Sequence, residues 1–296
     1  MATRKNYRAL IAAFFRLIRW PNLLLLWVGQ GLFYFLLLRP LGEDNWFIYL
    51  LYALVTVSLA AAGYIINDYY DLEIDRLNER KRPLGREISI FWGIVHYTWL
   101  QFFSFGLAAI YSPSFLLPIL LGISFLLWAY AAHIKAWPFW GNLLVASLVL
   151  ASLGLYYQEA QPYLATNLWA KHFFEAYLVF TLGSNLVREI VKDREDLQGD
   201  QAQGTFTLAY YLPTWALKSL LSFILLTNLA AGGYLLLPYY SLFSVYLWGH
   251  FLGLMVLLVL LIFALSKAKN KQDWSQISLL LKVYMALGLA ALIWLA

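Results

Sequence analysis

Asp68, Asp71 and Asp75 stand at spacings of three and four inside NDYYDLEIDRLNERKR, residues 67–82. Asp193, Asp196 and Asp200 repeat that spacing 125 residues later, inside VREIVKDREDLQGD. On a helix these offsets put the three carboxylates of each set on one face, where they repel unless a positive charge sits among them. Oxygen ligands with no His or Cys in the pattern suit Mg²⁺ rather than zinc. Mg²⁺ held by few carboxylates completes its shell with water and phosphate oxygens, so the six acids fit a diphosphate site. Arg76, Arg82, Lys135, Arg188 and Lys192 are near enough in sequence to hold the remaining phosphate charge, or to pair with the acids themselves.

The elements that must position these residues are membrane helices. The 296-residue chain is 62% hydrophobic and only 12% charged, about half the roughly 25% charged fraction of a soluble domain. Stretches of roughly 20 apolar residues cross the hydrocarbon as helix. Nine are expected, near 20–38, 46–66, 90–110, 115–132, 141–157, 172–190, 213–236, 240–264 and 277–295. With the N-terminus inside, 19 of the 21 Lys and Arg residues fall on one side, and only Arg39 and Lys171 on the other. Cytoplasmic ends retain basic residues. This sorting therefore predicts a multi-pass protein with a cytoplasmic N-terminus and an external C-terminus; a bacterial or archaeal cell membrane is the expected location. Both acidic triplets, after spans two and six, then face the cytoplasm. The N-terminal basic segment reads as the flank of a retained first span, because the apolar run is long and lacks a small-residue cleavage pattern. The net charge of +5 follows from this one-sided distribution and does not require nucleic acid. The equal offset predicts two related four-helix halves with a ninth helix left over, in one domain covering 1–296.

A charge run at a helix end is ordinarily a solvated loop. Here each triplet continues out of an apolar span, and Asn67, Asn185, Arg188 and Glu189 come before the helix should end. Polar groups at that depth face a bundle interior or a water-filled cavity. Tyr130, His133 and Lys135 close span four on the same side, and Pro138, Gly141 and Asn142 open span five. Lys135 can snorkel to the interface or reach an anion in the cavity. His96, His133, His172 and His250 have no ligand spacing, and helix-end hydrogen bonding is their expected role. No residue has the setting of an activated nucleophile, and no glycine loop cradles phosphate. The absence of cysteine removes thiolate chemistry. Some of the many aromatics can line a tunnel and stabilise an allylic cation.

NDYYDLEID and KDREDLQGD, at this interval and with nine spans, resemble the UbiA superfamily of intramembrane prenyltransferases. The first family motif, N-D-x-x-D-x-x-x-D, falls on Asn67, Asp68, Asp71 and Asp75; the second, D-x-x-x-D, falls on Asp196 and Asp200, with Asp193 an added acid. Tyr130 with Lys135, and Pro138, Gly141 with Asn142, fit the family's Y-x-x-x-x-K and P-x-x-G-N. The run REIVKDREDLQGDQAQGTFTLA is most similar to geranylgeranylglycerol-phosphate geranylgeranyltransferases and their bacterial relatives. The family's N-x-P-x-R-P and P-S-G are altered here between Asn78 and Gly85. The resemblance implies an all-α polytopic bundle of two four-helix halves around a cytoplasm-facing cavity, using Mg²⁺ to bind a prenyl diphosphate.

The expected reaction is Mg²⁺-dependent transfer of a long, geranylgeranyl-like group from its diphosphate to a membrane lipid such as geranylgeranylglyceryl phosphate, with diphosphate released. The six aspartates are the expected metal ligands and catalytic acids. Asn67, Arg82, Tyr130, Lys135, Asn142, Arg188 and Lys192 are the expected substrate-binding residues. The expected partners are the prenyl diphosphate, the acceptor and the bilayer, with no nucleic acid and no obligate protein partner. A quinone, tocopherol or chlorophyll-type aromatic acceptor is the alternative. A membrane transporter is the non-enzymatic one, disfavoured because the acids cluster at one face rather than at the bilayer midplane.

Overall fold

The computed structural model describes residues 2–42, 45–77, 82–111, 115–202 and 204–295. Among these the chain is helical throughout, apart from an isolated bridge between Leu84 and Ile88. It divides into two compact units, 1–31 with 46–135, and 32–45 with 136–296.

The first unit holds α1 (Ala2–Leu17), α2 (Trp20–Phe33), α3 (Trp46–Tyr70), α4 (Leu72–Leu77), α5 (Ile90–Tyr111) and α6 (Leu116–Ala132). Helix α3 packs against α5 and α6, and its Ala60–Gly63 run is small enough for close approach. A Cβ on Gly63 would lie 2.9 Å from Leu127 Cδ2 of α6. Two buried polar ties fix the helices where no water can compete: Gln30 Nε2 donates to Thr56 Oγ1 at 2.8 Å, and Ser104 Oγ donates to the Val55 carbonyl at 3.2 Å. The chain turns between α1 and α2 at Arg19, whose φ of 52° is rarely adopted by a non-glycine residue.

The second unit holds the 34–41 continuation of the first span, α7 (Trp140–Leu164), α8 (Leu168–Ala202), α9 (Leu208–Tyr211), α10 (Thr214–Leu236), α11 (Val245–Lys267) and α12 (Lys271–Ala290). Helix α8 is its axis, packed by α7, α10 and α12 around Val187, Ile190, Leu221, Leu225, Leu261 and Leu281. At 35 residues it is about 52 Å long, well beyond a hydrocarbon core of about 30 Å. Its later turns can therefore carry charge out of the apolar layer. Ser244 caps α11, and Asn270 with Asp273 forms a capping box on α12.

Among the described residues seven helices are long and apolar enough to cross a membrane: Trp20–Leu41, Trp46–Tyr70, Ile90–Ile110, Trp140–Leu164, Thr214–Leu242, Val245–Lys267 and Lys271–Ile293. A polytopic membrane protein fits this pattern. The other two expected spans are helical as well. Helix α6 has only 17 residues, and α8 carries Lys171, His172 and Glu175 near its start and charges again from Arg188 onward.

Candidate active site

The first acidic motif spans the junction of α3 and α4. The helix is interrupted at Asp71, yet its register persists: the Asp71 N–H donates to the Asn67 carbonyl at 3.0 Å, and the Asp75 N–H donates to that of Asp71 at 2.7 Å. The expected common face therefore survives the interruption. Asp68 is buried, and its Oδ1 accepts from Arg19 Nη2 at 2.9 Å. Asp71 Oδ2 accepts from Lys135 Nζ at 2.5 Å and from Asn67 Nδ2 at 3.0 Å. Arg82 Nε lies 3.5 Å from Asp75 Oδ2. Among the expected site residues of the first unit, Asn67, Asp71 and Lys135 are thus joined, with Lys135 reaching back from just past α6, and Arg82 pairs with Asp75. Tyr130 is half-buried one turn before the end of α6. The Arg76 side chain and the whole of Asn78–Lys81, including the bases Arg80 and Lys81 and most of the altered family loop, lie outside the described residues.

Arg19 was not among the expected site residues. It counter-charges Asp68 and also stacks its guanidinium over the Tyr64 ring at 4.8 Å. The signal was a basic residue directly before the apolar run WPNLLLL, which membrane topology alone accounts for.

The second motif rides on α8, which continues unbroken through Asp193, Asp196 and Asp200. Asp193 Oδ2 accepts from Asn142 Nδ2 of α7 at 2.8 Å. Burial pushes the Asp193 carboxyl up to about 7, with Glu189 and Asp200 adding to the rise and the Asn142 hydrogen bond and Lys192 opposing it. Asn142 is aimed by an unusual turn: Phe139 ahead of α7 has φ 68°, in the left-handed region. Arg19 and Phe139 are the two such non-glycine residues among those described; Arg19 itself pairs with Asp68, and Phe139 precedes the helix whose Asn142 binds Asp193.

The bases of the second motif behave differently from one another. Arg188 Nη1 pairs with its neighbour Glu189 at 2.6 Å rather than with a motif aspartate. Lys192 is exposed. Arg194 is structural, donating to Thr214 Oγ1 at 2.8 Å and to the Ala209 carbonyl at 3.3 Å. Three histidines make the hydrogen bonds expected of them: His96 with the Trp92 carbonyl, His172 with Tyr239 Oη and His250 with the Leu287 carbonyl.

The donor set can be tested against a divalent cation. Among the described residues no three His, Cys, Asp or Glu side chains form a ready-made cage. Asp68, Asp71 and Asp193 each have one oxygen fixed by a cation or an amide. That leaves one oxygen per carboxylate for a further ligand. Oriented hard oxygens, few in each unit, are the donors Mg²⁺ usually takes, with water and phosphate completing its shell.

Residues 20–292 match the family model for the UbiA prenyltransferase family. The chain is 34% identical over 161 residues to a digeranylgeranylglyceryl phosphate synthase of Methanospirillum hungatei, a match covering 53% of this chain and 55% of that protein. It is 30% identical over 300 residues to the enzyme of the same description from Sulfurisphaera tokodaii, covering 94% and 95% of the two chains. The fold is similar to that of a UbiA homologue from Archaeoglobus fulgidus solved with GPP and Mg²⁺, with a TM-score of 0.64 and 16% identity over 95% of this chain and 99% of that one. With both acidic motifs inside the matched region, the chain belongs to the UbiA prenyltransferase family.

Proposed function

We propose that this membrane prenyltransferase moves a geranylgeranyl-like group from its diphosphate to geranylgeranylglyceryl phosphate or a closely similar glyceryl ether lipid. The observation that carries the reading is the near full-length similarity to a digeranylgeranylglyceryl phosphate synthase. The Archaeoglobus homologue, solved with GPP and Mg²⁺, supports the donor class and the metal. The family match across both units supports a single prenyltransferase domain. The finer architecture belongs to the same proposal: nine crossings in two four-helix halves plus one, a cytoplasm-facing cavity, the N-terminus inside and the C-terminus outside.

In this reading Asp68, Asp71, Asp75, Asp193, Asp196 and Asp200 would hold Mg²⁺, which when bound neutralises charge on the leaving diphosphate. Lys135, Arg82, Arg188 and Lys192 offer positive charge to phosphate oxygens, and Asn67 and Asn142 donate amide hydrogen bonds that orient Asp71 and Asp193. Tyr130 lines the donor side. The bond between C1 of the prenyl group and the diphosphate oxygen breaks, its electron pair leaving with diphosphate. The acceptor hydroxyl oxygen then bonds to C1 and releases its proton, giving an ether. Apolar helix walls keep water from the allylic cation.

The test is purified protein with labelled geranylgeranyl diphosphate, Mg²⁺ and a panel of glyceryl phosphate and aromatic acceptors, with products weighed by mass spectrometry. Diphosphate release with an ether lipid as product is expected. An aromatic C-prenyl product would replace the acceptor assignment. No release with any acceptor would return the chain to the transporter reading.

A further inference from the structure

Helix α12 has two unlike faces. Trp274, Ile277, Leu281 and Tyr284 are buried in the core of the second unit. Gln272, Ser275, Gln276 and Lys282 recur at i, i+3, i+4 and i+10, on one side of the helix. Together with Ser278 and the exposed Leu279, and with Glu195 on α8, they line an open cleft of about 350 Å³. That is within the usual range for small-molecule sites, about 300–1,000 Å³.

Lys282 is the cation of the cleft. It is exposed on a helix that opens with the polar run KQDWSQ, about five residues, and so about 8 Å of rise, past the start of the apolar stretch near 277. It forms no ion pair among the described residues. A lysine this near the end of an apolar stretch reaches its ammonium to the interface, to water or to an anion held there. The groups around it are chemically sorted. One ammonium, two hydroxyls and two carboxamides can all donate, which suits a phosphate monoester. Glu195, which accepts only, suits a hydroxyl. A phosphate and a hydroxyl on one small headgroup describe a glyceryl phosphate. Glu195 is followed directly by Asp196, so the cleft adjoins the second acidic motif.

We infer that the cleft between α8 and α12 is the acceptor's headgroup subsite. Lys282, Ser275, Ser278 and the two glutamines receive the phosphate of a glyceryl ether lipid, and Glu195 accepts from its free hydroxyl. The inference rests on the glyceryl phosphate acceptor proposed above.

Binding is measured first, on the full chain in detergent without donor or Mg²⁺, by titrating geranylgeranylglyceryl phosphate and, separately, geranylgeranylglycerol. The wild type should prefer the phosphorylated lipid by about 10- to 100-fold, the size of one charge-assisted interaction. Lys282→Gln should erase that preference, Lys282→Arg should keep most of it, and Ser275→Ala should reduce it. Affinity for geranylgeranyl diphosphate should stay within about twofold in all of them. Transfer assays should then show Lys282→Gln raising KM for the acceptor and not for the donor. Unchanged preference in a monodisperse Lys282→Gln protein overturns the assignment. So does loss of donor binding, which would give the cleft to diphosphate, or equal competition by phosphatidic acid, which would give it to bulk anionic lipid. Selective binding lost in Lys282→Gln, with no ether product from the wild type, would leave the subsite standing and remove the proposed reaction. Normal product with unaltered acceptor KM in the variant would do the reverse.

Discussion

Gly183→Ala tests whether the axis helix is locked to its neighbour as tightly as its packing implies. A Cβ at Gly183 on α8 would sit 2.1 Å from Asn228 Nδ2 and 2.6 Å from its Cγ. The amide on α10 would have to withdraw by more than about 1 Å to reach ordinary contact. That amide is buried, donates to the Val179 carbonyl at 2.5 Å, and has an Oδ1 with no hydrogen-bond partner among the described residues. Withdrawal leaves the buried donor unmet as well, costing about 1–3 kcal/mol, and overpacking adds about 1–3 kcal/mol. Alanine returns about 1 kcal/mol of helix propensity. The net expectation is a loss of about 1–5 kcal/mol, read by equilibrium unfolding in mixed micelles with tryptophan emission. Removing the obstacle in Gly183→Ala/Asn228→Ala should recover most of it, since the Val179 carbonyl belongs to α8's own helical ladder. A single variant as stable as wild type, or a double variant no better than the single, would refute the reasoning.

Asp71→Ala and Asp196→Ala should each lose most prenyl transfer while the folded yield stays normal by size exclusion; near-normal turnover in either would remove that residue from the site. Lys135→Met should lower turnover by roughly 10²- to 10³-fold, the usual effect of deleting one charge-stabilising donor, and Lys135→Arg should recover part of it. Chelation of divalent metal should stop diphosphate release, and added Mg²⁺ should restore it. Thr56→Val should destabilise the first unit by about 0.6–1.7 kcal/mol, the range for a buried interhelical hydrogen bond in a membrane protein, without altering KM for the donor.

What could be read from the residues was whatever repeats or alternates. The paired aspartate spacing, the one-sided bases and the apolar runs gave the helical class and the two motifs, because the spacing of a helix and the cost of charge in lipid act locally; that Asn142 binds Asp193 and Lys135 binds Asp71 was visible only in the fold. Arg19 escaped because a base at the head of a span has the same appearance whether it anchors the membrane or neutralises an aspartate 49 residues away. The pairing of Arg188 with Glu189 rather than a motif acid depends on rotamers, which composition does not encode. The interruption at Asp71 left no trace either, since the backbone hydrogen bonds on both sides keep the helical offset that the spacing had already implied. Helix α8 continues past the expected span end near 190 through all three aspartates, for a physical reason: a helix leaving the hydrocarbon into a charged, solvated region has no cause to stop.

Arg19 joins two things that are otherwise separate. Ahead of it, α1 exposes Tyr7, Leu10, Ile11 and Phe15 beside Arg8 and Arg16, the make-up of a helix that lies flat in the headgroup layer and grips anionic lipid. Behind it, the same residue's guanidinium is the counter-ion of Asp68. A leaflet rich in anionic lipid would hold α1 down and keep that guanidinium in place, whereas a neutral leaflet would let the joint relax and leave Asp68 uncompensated. The pairing at Asp68 would thereby be gauged by the surface charge of the membrane in which the protein sits.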